Sequence, residues 1–324
     1  MHEFELIRTV FREAAYAQPG AGVERSIGDD CALLNVPAGH QVCVSTDSLL
    51  EGVHFPADCD PFLLGQRALA VAVSDLAACG AEPLAFTLAL SVPSVEVAWL
   101  QAFSQGLGVM AQQCNISLAG GDTTAGPLNI GVTVLGSVPC GQALLRSKAQ
   151  VGELLFVSGP LGAAAAALQL FDGSAADSLA DEIRDQLLQA FWQPAPQLAL
   201  GQWLRGKAGG VIDVSDGLLA DAGHIARESG VSLVIDQARV PVAKAARQLD
   251  QGRALEWALS GGDDYQLLFS LSADLAAVLQ QSFPDVHCIG QVEAGEGVRL
   301  LDATGRITPI GPLGYQHFAG NTDE

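Results

Sequence analysis

Apolar runs separated by turn residues in the first half of the chain predict a mixture of strands and helices. Short runs at 41–45, 86–92 and 128–138 are typical of strands. The longer periodic stretches 61–79 and 96–114 are typical of helices. These elements follow one another without a repeat of fixed length, so the first half is predicted to fold as mixed α and β structure.

The second half continues in the same style after a polar segment. SKAQVGE follows Arg146, and the apolar LLFVSGP then restarts a strand, so the domain junction is expected at about 140–152. We predict two domains, 1–140 and 150–324. The predicted helices begin after Gly162, near 197–205 and at 217–229, and the predicted strands are GGVIDVS, 231–235 and 265–270.

Length and charge narrow the classes of function. A chain of 324 residues suits two hydrophobic cores better than one. The net charge of -20 argues against nucleic acid or an anionic membrane as the main partner. The sequence has no uninterrupted apolar stretch of the roughly 20 residues that span a bilayer, and its first residues do not resemble a secretion signal, so we expect a cytoplasmic protein.

The cysteines give no sign of a structural cross-link or metal site. The seven cysteines are scattered, odd in number and without a CxxC pair, so neither a disulfide framework nor a zinc site is predicted. We expect them to be reduced and mostly buried.

Aspartates embedded among glycine and apolar residues are the informative chemical feature, and most have no lysine or arginine nearby. A half-buried carboxylate needs protonation, backbone hydrogen bonds or a metal ion. Scattered single carboxylates suit magnesium, which keeps waters and binds phosphates as well. The segments are IGDDCAL with Asp29 and Asp30, STDSLLEGVHF with Asp47, VSDLAACGAEP with Asp75, AGGDTTAG with Asp122, VIDVSDGL with Asp213 and Asp216, and SGGDDYQLLF with Asp263 and Asp264.

Each residue also has a plainer interpretation. Asp29 or Asp216 alone would ordinarily be a turn or helix-capping residue. Asp75, inside an apolar helical stretch, would otherwise face solvent. Arg146 alone suits a solvated surface charge, and His54 and Phe318 alone suit core packing. The joint occurrence of the segments in one chain favours a functional role over these plainer interpretations.

Nucleotide binding would need an unusual phosphate site. The sequence contains no GxxxxGK[ST], no GxGxxG after a strand, and no protein-kinase motifs. Backbone amides at Gly120 and Gly121, helix N-termini, magnesium bridges and Arg146 are the remaining candidates.

The ordered motifs GDDCAL, STDSLLEGVHF, VSDLAACGAEP, GGDTT, LLRSKAQVGE, VSGPLG, DVSDGL and SGGDDYQLLF resemble the thiamine-monophosphate kinase family. This family lies in a superfamily with aminoimidazole ribonucleotide synthetase and selenophosphate synthetase. The resemblance runs from about residue 25 to the GYQHF ending. It implies an α+β, two-domain PurM-like fold of mixed α/β layers, a homodimer joined through N-terminal sheets, ATP as co-substrate, several Mg²⁺ ions and thiamine monophosphate as acceptor.

The resemblance also implies roles for individual residues. Asp47 and Asp122 are the first candidates for holding metal at the reacting phosphates. The implied magnesium ligands are Asp30, Ser45, Thr46, Asp47, Asp75, Asp122, Asp213 and Asp216. The implied ATP contacts are Gly121, Asp122, Arg146 and Ser215, and the implied substrate contacts are His54, Asp263, Asp264 and Phe318. The family often has glutamate where this chain has Asp263, so which of Asp263 and Asp264 reaches the cationic thiazolium stays open.

The chemistry expected is direct in-line transfer of the γ-phosphoryl group. The acceptor phosphate has a second pKa near ~6 and is already anionic at neutral pH, so a strong base is unnecessary. Metal held by aspartates would relieve the repulsion between phosphates. Two alternatives remain at this stage. One is another ATP-using enzyme of the superfamily, and the other is a non-catalytic module that binds magnesium and nucleotide.

Overall fold

The structure is a computed structural model that describes residues 7–20, 22–171, 173, 179–302 and 304–310, with the backbone alone at 309 and 310. It divides into two compact units. The first consists of residues 1–143 and 192–205, and the second consists of 144–191 and 206–324. Residues 192–205 therefore belong to the first unit, although part of the second unit precedes them in the sequence. The predicted division into two consecutive segments does not contain this return.

The first unit is built on a four-stranded sheet of order β3-β6-β4-β5, in which only β4 and β5 run parallel. Two helices follow its strands, and a small antiparallel pair, β1 and β2, precedes it. Its strands are β1 Val23–Arg25, β2 Leu33–Leu34, β3 His40–Leu50, β4 Glu82–Val92, β5 Ser117–Ala125 and β6 Asn129–Pro139. Its helices are α1 Pro61–Ala78, α2 Val97–Cys114 and, from the returning segment, α5 Leu198–Leu204.

Helix α1 is the buried centre of the first unit. Asp60 starts it by accepting the backbone N–H of Phe62 at 2.8 Å, and Pro61 occupies the first turn. Gly65 and Gly106 then let α1 and α2 touch backbone to backbone, because a Cβ on Gly106 would lie 1.9 Å from the carbonyl oxygen of Phe62. This contact fixes the position of α1 with little freedom.

The returning segment packs against the same helix. A Cβ added to Gly201 on α5 would lie 2.1 Å from the carbonyl oxygen of Ala77, near the end of α1. The side chain of Arg205 pairs with Glu82 at 3.3 Å. These contacts explain why 192–205 belongs to the first unit.

The second unit is built on a seven-stranded sheet of order β13-β12-β9-β11-β7-β10-β8, antiparallel except for the β12–β9 pair. Its apolar core includes Leu155, Ile212 and Ile225. Its strands are β7 Leu154–Val157, β8 Ala208–Asp213, β9 Ser232–Asp236, β10 Leu267–Leu271, β11 His287–Glu293, β12 Gly297–Leu301 and β13 Ile307–Ile310. Its helices are α3 Ala163–Phe171, α4 Asp181–Trp192, α6 Leu218–Ser229, α7 Lys244–Leu249, α8 Ala254–Ser260 and α9 Ala276–Ser282, with Trp192 of α4 counted in the first unit.

The predicted elements of both halves are confirmed, with longer strands at β3 and β4 than the apolar runs indicated. Strand β5 was not predicted, because its AGGDTTA sequence contains the glycines and polar residues that usually mark a turn. Among the residues that the structure describes, no helix combines the length and apolar character needed to cross a bilayer.

The expectation of mostly buried cysteines is wrong. All seven are free thiols, yet only Cys114 is buried, while Cys31 and Cys140 are exposed and the remaining four are half-buried.

Candidate active site

Asp47 and Asp75 form a carboxylate pair between β3 and α1. Along β3, alternate residues face α1, and Ser45 and Asp47 share that inner face. The hydroxyl of Ser45 donates a hydrogen bond to Asp75, so Asp75 faces the sheet and not solvent. Burial and, to a smaller extent, the nearby charge of Asp75 raise the pKa of Asp47 to about 6. Two carboxylates held this way are a chemically suitable site for a hard divalent cation.

Thr46 does not join this pair. Its side chain is exposed on the opposite face of β3, where its hydroxyl lies 2.9 Å from that of Thr133. The side chain of Thr46 therefore points away from those of Ser45 and Asp47, because successive side chains of a strand point to opposite faces, and its contact with metal stays a prediction. Only the backbone of Thr46 is close to the inner-face side chains of Ser45 and Asp47.

Asp122 lies at the other edge of the same sheet. It is exposed on β5, where it pairs with Ala89, and β3 and β5 are the two edge strands. Three strand spacings separate them, or about 14 Å along the sheet. Asp47 and Asp122, predicted together at the reacting phosphates, thus belong to separate parts of the first unit.

Gly121 precedes Asp122 at a point where two strands approach closely. A Cβ at this position would lie 1.9 Å from the carbonyl oxygen of Leu88. Only glycine fits there, and its backbone is left bare on an exposed stretch of β5. The arrangement suits the predicted phosphate contact.

Asp30 is exposed in the loop between β1 and β2. Its backbone N–H donates to the side chain of Asp29 at 3.1 Å, and Asp29 forms an ion pair with Arg25. The plainer interpretation of Asp29 as a turn residue therefore fits the structure, and the side chain of Asp30 is accessible.

His54 is held just after β3. Its Nδ1 accepts the backbone N–H of Leu50 at 3.0 Å, which places the proton of the neutral ring on Nε2. Its carbonyl oxygen accepts a bond from Arg67 at 3.4 Å. The ring is half-buried, so it is not a fully buried core residue.

A second carboxylate group lies where β8 leads into α6. Asp213 is buried at the end of β8, and one oxygen of Asp221 accepts the backbone N–H groups of Ser215, Asp216 and Gly217, each at 3.1 Å. Burial raises the pKa of Asp221 to about 8, with further contributions from the charges of Asp213 and Asp216. The loop that follows Asp213 and carries Asp216 is therefore shaped by a third carboxylate, that of Asp221.

Asp221 was missed by the sequence analysis. Its signal is an aspartate in the first turn of α6, which follows a glycine-containing loop and can accept that loop's amides. Asp216, Asp221 and His224 each offer a ligand atom within 4.8 Å of the others.

Arg146 lies on the same side of the second unit as His224. Burial lowers the pKa of His224, and the positive charges of Arg146 and Arg227 lower it further. Arg146 is exposed, while its carbonyl oxygen accepts the hydroxyl of Ser229 at 2.7 Å. Its charge is thus available to an anion near the Asp216 loop.

Asp263 and Asp264 have opposite surroundings. Both oxygens of Asp264 accept the N–H of Gly162 at 2.9 Å, and it also accepts the N–H of Ala164 at the start of α3. Burial raises its pKa well above the usual range. The oxygens of Asp264 are thus buried against backbone amides, which favours Asp263 for the predicted substrate contact. Asp263 is half-buried in a left-handed conformation, φ 69°, and accepts the hydroxyl of Tyr265 at 3.0 Å.

Phe318 lies outside the described residues. Beside the Asp47 pair, a hydrogen bond from Cys79 lowers the pKa of Cys43 to about 7.

Comparison with known proteins identifies the family. The family model for the AIR synthase related protein N-terminal domain matches residues 28–138, and the one for the C-terminal domain matches 150–302. The chain is 41% identical over 323 residues to the thiamine-monophosphate kinase of Salmonella typhimurium, covering 98% of each chain. The chain belongs to the thiamine-monophosphate kinase family. The resemblance seen in the sequence motifs is thus confirmed.

Solved structures of the family share the fold over nearly the whole chain. The thiamine-monophosphate kinase of Stenotrophomonas maltophilia is 41% identical and superposes with a TM-score of 0.82, covering 91% of this chain and 94% of that one. AaThiL complexed with AMPPCP and TMP is 29% identical with a TM-score of 0.79, covering 98% and 97%. The predicted α+β, two-domain PurM-like fold is confirmed by these matches.

Proposed function

We propose that this protein is a kinase that transfers the γ-phosphoryl group of ATP to thiamine monophosphate, giving thiamine diphosphate. The observation that carries the proposal is 41% identity to a thiamine-monophosphate kinase across 98% of both chains. A homologue of the same fold binds AMPPCP and TMP together, which supports two phosphorylated ligands in one protein. The paired carboxylates of the site agree with phosphoryl transfer.

Magnesium is the proposed metal. The residues fit it, because Asp47 and Asp75 offer hard oxygen atoms, and burial together with the charge of Asp75 raises the pKa of Asp47 to about 6. In the second unit, Asp213 and Asp216 offer the same chemistry beside Asp221. When bound, magnesium would neutralise the charge of phosphate oxygens and orient them for in-line displacement. The proposed ligands are Asp30, Ser45, Asp47, Asp75, Asp122, Asp213 and Asp216, with Thr46 contributing through its backbone alone.

The chain's own residues would position ATP in three ways. The backbone of Gly121 and the carboxylate of Asp122 lie together on exposed β5. The guanidinium of Arg146 is exposed and supplies positive charge to phosphate oxygens. Ser215 is half-buried on the loop that Asp221 shapes, so its hydroxyl is proposed to reach the nucleotide.

Substrate recognition is assigned to His54 and Asp263, together with Phe318. The Nε2–H of His54 is a donor suited to the phosphate of thiamine monophosphate, because Nδ1 is already occupied by Leu50. Asp263, and not Asp264, is proposed to face the cationic thiazolium. The side chain of Phe318 is proposed to stack on a ring of the substrate, as the family resemblance implies.

A homodimer formed through the first unit's sheet is also proposed. The outer face of the edge strand β3 leaves Val42, Val44 and Leu50 exposed by 47%, 60% and 41%. Aligned apolar side chains on an open sheet face are typical of an interface. Val44→Asp is expected to shift the protein to monomer in light scattering, whereas Val151→Asp, at another residue exposed by 60%, leaves the mass unchanged. A dimer that persists in Val44→Asp contradicts the proposal that this surface is the dimer interface.

The cytoplasmic location stays a prediction.

The function is tested by ADP release with purified protein, ATP and magnesium. Thiamine monophosphate should stimulate release and yield thiamine diphosphate in equal amount, while thiamine and unrelated phosphate esters should not. Release with another acceptor alone would indicate a different enzyme of the superfamily. Binding of ATP without consumption under any acceptor would indicate a non-catalytic module.

A further inference from the structure

Strand β3 and helix α1 face each other through two neighbouring pairs of side chains. Cys43 and Ser45 lie two residues apart on the inner face of β3, about 6.8 Å along the strand. Asp75 and Cys79 lie four residues apart on α1 and its C-cap, about 6 Å along the helix. Because these spacings match, the Ser45–Asp75 hydrogen bond places Cys43 opposite Cys79.

The two thiols do meet. They are joined by a side-chain hydrogen bond, one pair along from the bond between Ser45 and Asp75. Cys79 is fixed at the helix end, where its backbone N–H donates to the carbonyl oxygen of Asp75 at 3.0 Å. The sulfur atoms are therefore held together by two well-defined elements and not by a loop.

The surroundings of the two cysteines let the helix end approach the sheet and let a small oxidant reach the sulfur atoms. Gly136 pairs with Cys43 across the sheet, and a Cβ there would lie 3.0 Å from side-chain atoms of both Leu76 and Ala81. The missing side chain on β6 lets the end of α1 approach the sheet beside Cys43. Both cysteines are half-buried and β3 is an edge strand, so a small oxidant can reach them. They lie on the inner face, away from the surface proposed for dimerisation.

We propose that Cys43 and Cys79 are a reversible oxidation site that forms an intrachain disulfide when the protein meets a hydroperoxide. The inference is independent of phosphoryl transfer. It requires the two sulfur atoms to move from hydrogen-bonding contact to bonding distance, about 2.05 Å.

The chemistry balances with hydrogen peroxide as the oxidant. The sulfur of Cys43 attacks one peroxide oxygen, the O–O bond breaks, and the departing hydroxide takes up a proton to give water, leaving a sulfenic acid. The sulfur of Cys79 then attacks the sulfur of Cys43, the S–O bond breaks, and a second water leaves. The two thiols lose two electrons and two protons, and one peroxide is reduced to two waters. A dithiol such as dithiothreitol reverses the reaction.

The disulfide is tested by direct mapping in the full chain. Protein is treated with a small excess of hydrogen peroxide, free thiols are blocked with N-ethylmaleimide, and the chain is cut before aspartate and after glutamate without reduction. This digestion isolates Cys79 in the segment 75–82 and Cys43 in 30–46. Mass spectrometry should find the two segments joined, with fragmentation assigning the bond to Cys43 and not to Cys31 in the same segment.

Stability provides a second measurement. The bond closes a loop of chain between β3 and α1, so the oxidised protein should melt several degrees higher than the reduced protein. Dithiothreitol should reverse the shift. Cys79→Ser and Cys43→Ala should each abolish both the joined segments and the shift, whereas Cys140→Ser, which removes an exposed cysteine of the same unit, should preserve both.

Recovery of the segments 30–46 and 75–82 separately after peroxide treatment, whether blocked, overoxidised or joined to other cysteines, overturns the proposal. Because the wild-type protein alone gives this result, the test does not depend on whether a variant folds.

Discussion

The two carboxylate groups are built in different ways although their sequences look alike. In the first unit, Asp47 and Asp75 face each other between a strand and a helix, with the hydroxyl of Ser45 on Asp75. In the second unit, Asp221 receives three backbone N–H groups from the loop that carries Asp216. The first group leaves two carboxylates facing each other, where we propose a cation, and the second uses the carboxylate of Asp221 to shape the loop. Aspartate therefore has two separable roles here.

Asp47→Ala should cause the largest effect. Removing one carboxylate of the first unit's pair should reduce kcat by roughly 100- to 1,000-fold, because charge stabilisation at the reacting phosphate is lost. ADP release at saturating magnesium measures this, and circular dichroism checks that the fold is intact. Asp285→Ala, at an exposed aspartate, is the matched control. Activity close to wild type in Asp47→Ala would refute its role.

Asp75→Asn separates charge from shape in the same pair. The amide oxygen can still accept the Ser45 hydroxyl, but the negative charge is gone. The magnesium concentration that gives half-maximal activity should rise about 10- to 100-fold, with a smaller fall in kcat than in Asp47→Ala. An unchanged magnesium requirement would mean that Asp75 supports the structure only.

Asp221→Ala should act on stability first. Three backbone amides lose their acceptor, so the free energy of unfolding should fall by about 1–3 kcal/mol. Urea unfolding measures the loss, and Glu228→Ala, at an exposed residue of the same helix, should change it little. An unchanged free energy of unfolding in Asp221→Ala would contradict the structural role that separates Asp221 from the Asp47 and Asp75 pair.

Asp263→Asn and Asp264→Ala sharpen the comparison within one motif. Asn tolerates the left-handed conformation of Asp263, so this variant should keep its stability and raise the KM for thiamine monophosphate roughly 10-fold. Asp264→Ala should lose about 1–2 kcal/mol of stability through the α3 amides. Steady-state kinetics and thermal unfolding of both variants provide the readouts, and the reverse pattern would reassign the substrate contact to Asp264.

Much of the fold could be predicted from sequence because its signals are local. The apolar periodicity of α1 and α2 and the β-rich runs at β4 and β6 are properties of short segments. Strand β5 could not be predicted this way, since Gly121, which locally resembles a turn residue, serves a close contact with Leu88 of the neighbouring strand. The return of 192–205 to the first unit depends on tertiary packing of Gly201 and carries no local pattern.

The site could be predicted in kind but not in detail. Ordered motifs located the aspartates, yet they do not encode which way a side chain points. Asp263 and Asp264 are neighbours in sequence, and the left-handed conformations at Asp263 and Tyr265 accompany the burial of Asp264 alone. The exposure of Thr46 follows from strand alternation once the boundaries of β3 are known, and Asp221 gains its role only when the loop folds onto it.

The glycine contact between α1 and α2 has a consequence for how the protein can vary. Gly65 lies ten residues before Asp75 on the same helix, or about 15 Å away. Since backbone meets backbone at Gly65 and Gly106, even one added methyl group would push the helices apart and displace the distant carboxylate of Asp75. Mutational sensitivity in this enzyme therefore extends to two small, chemically inert residues remote from any ligand.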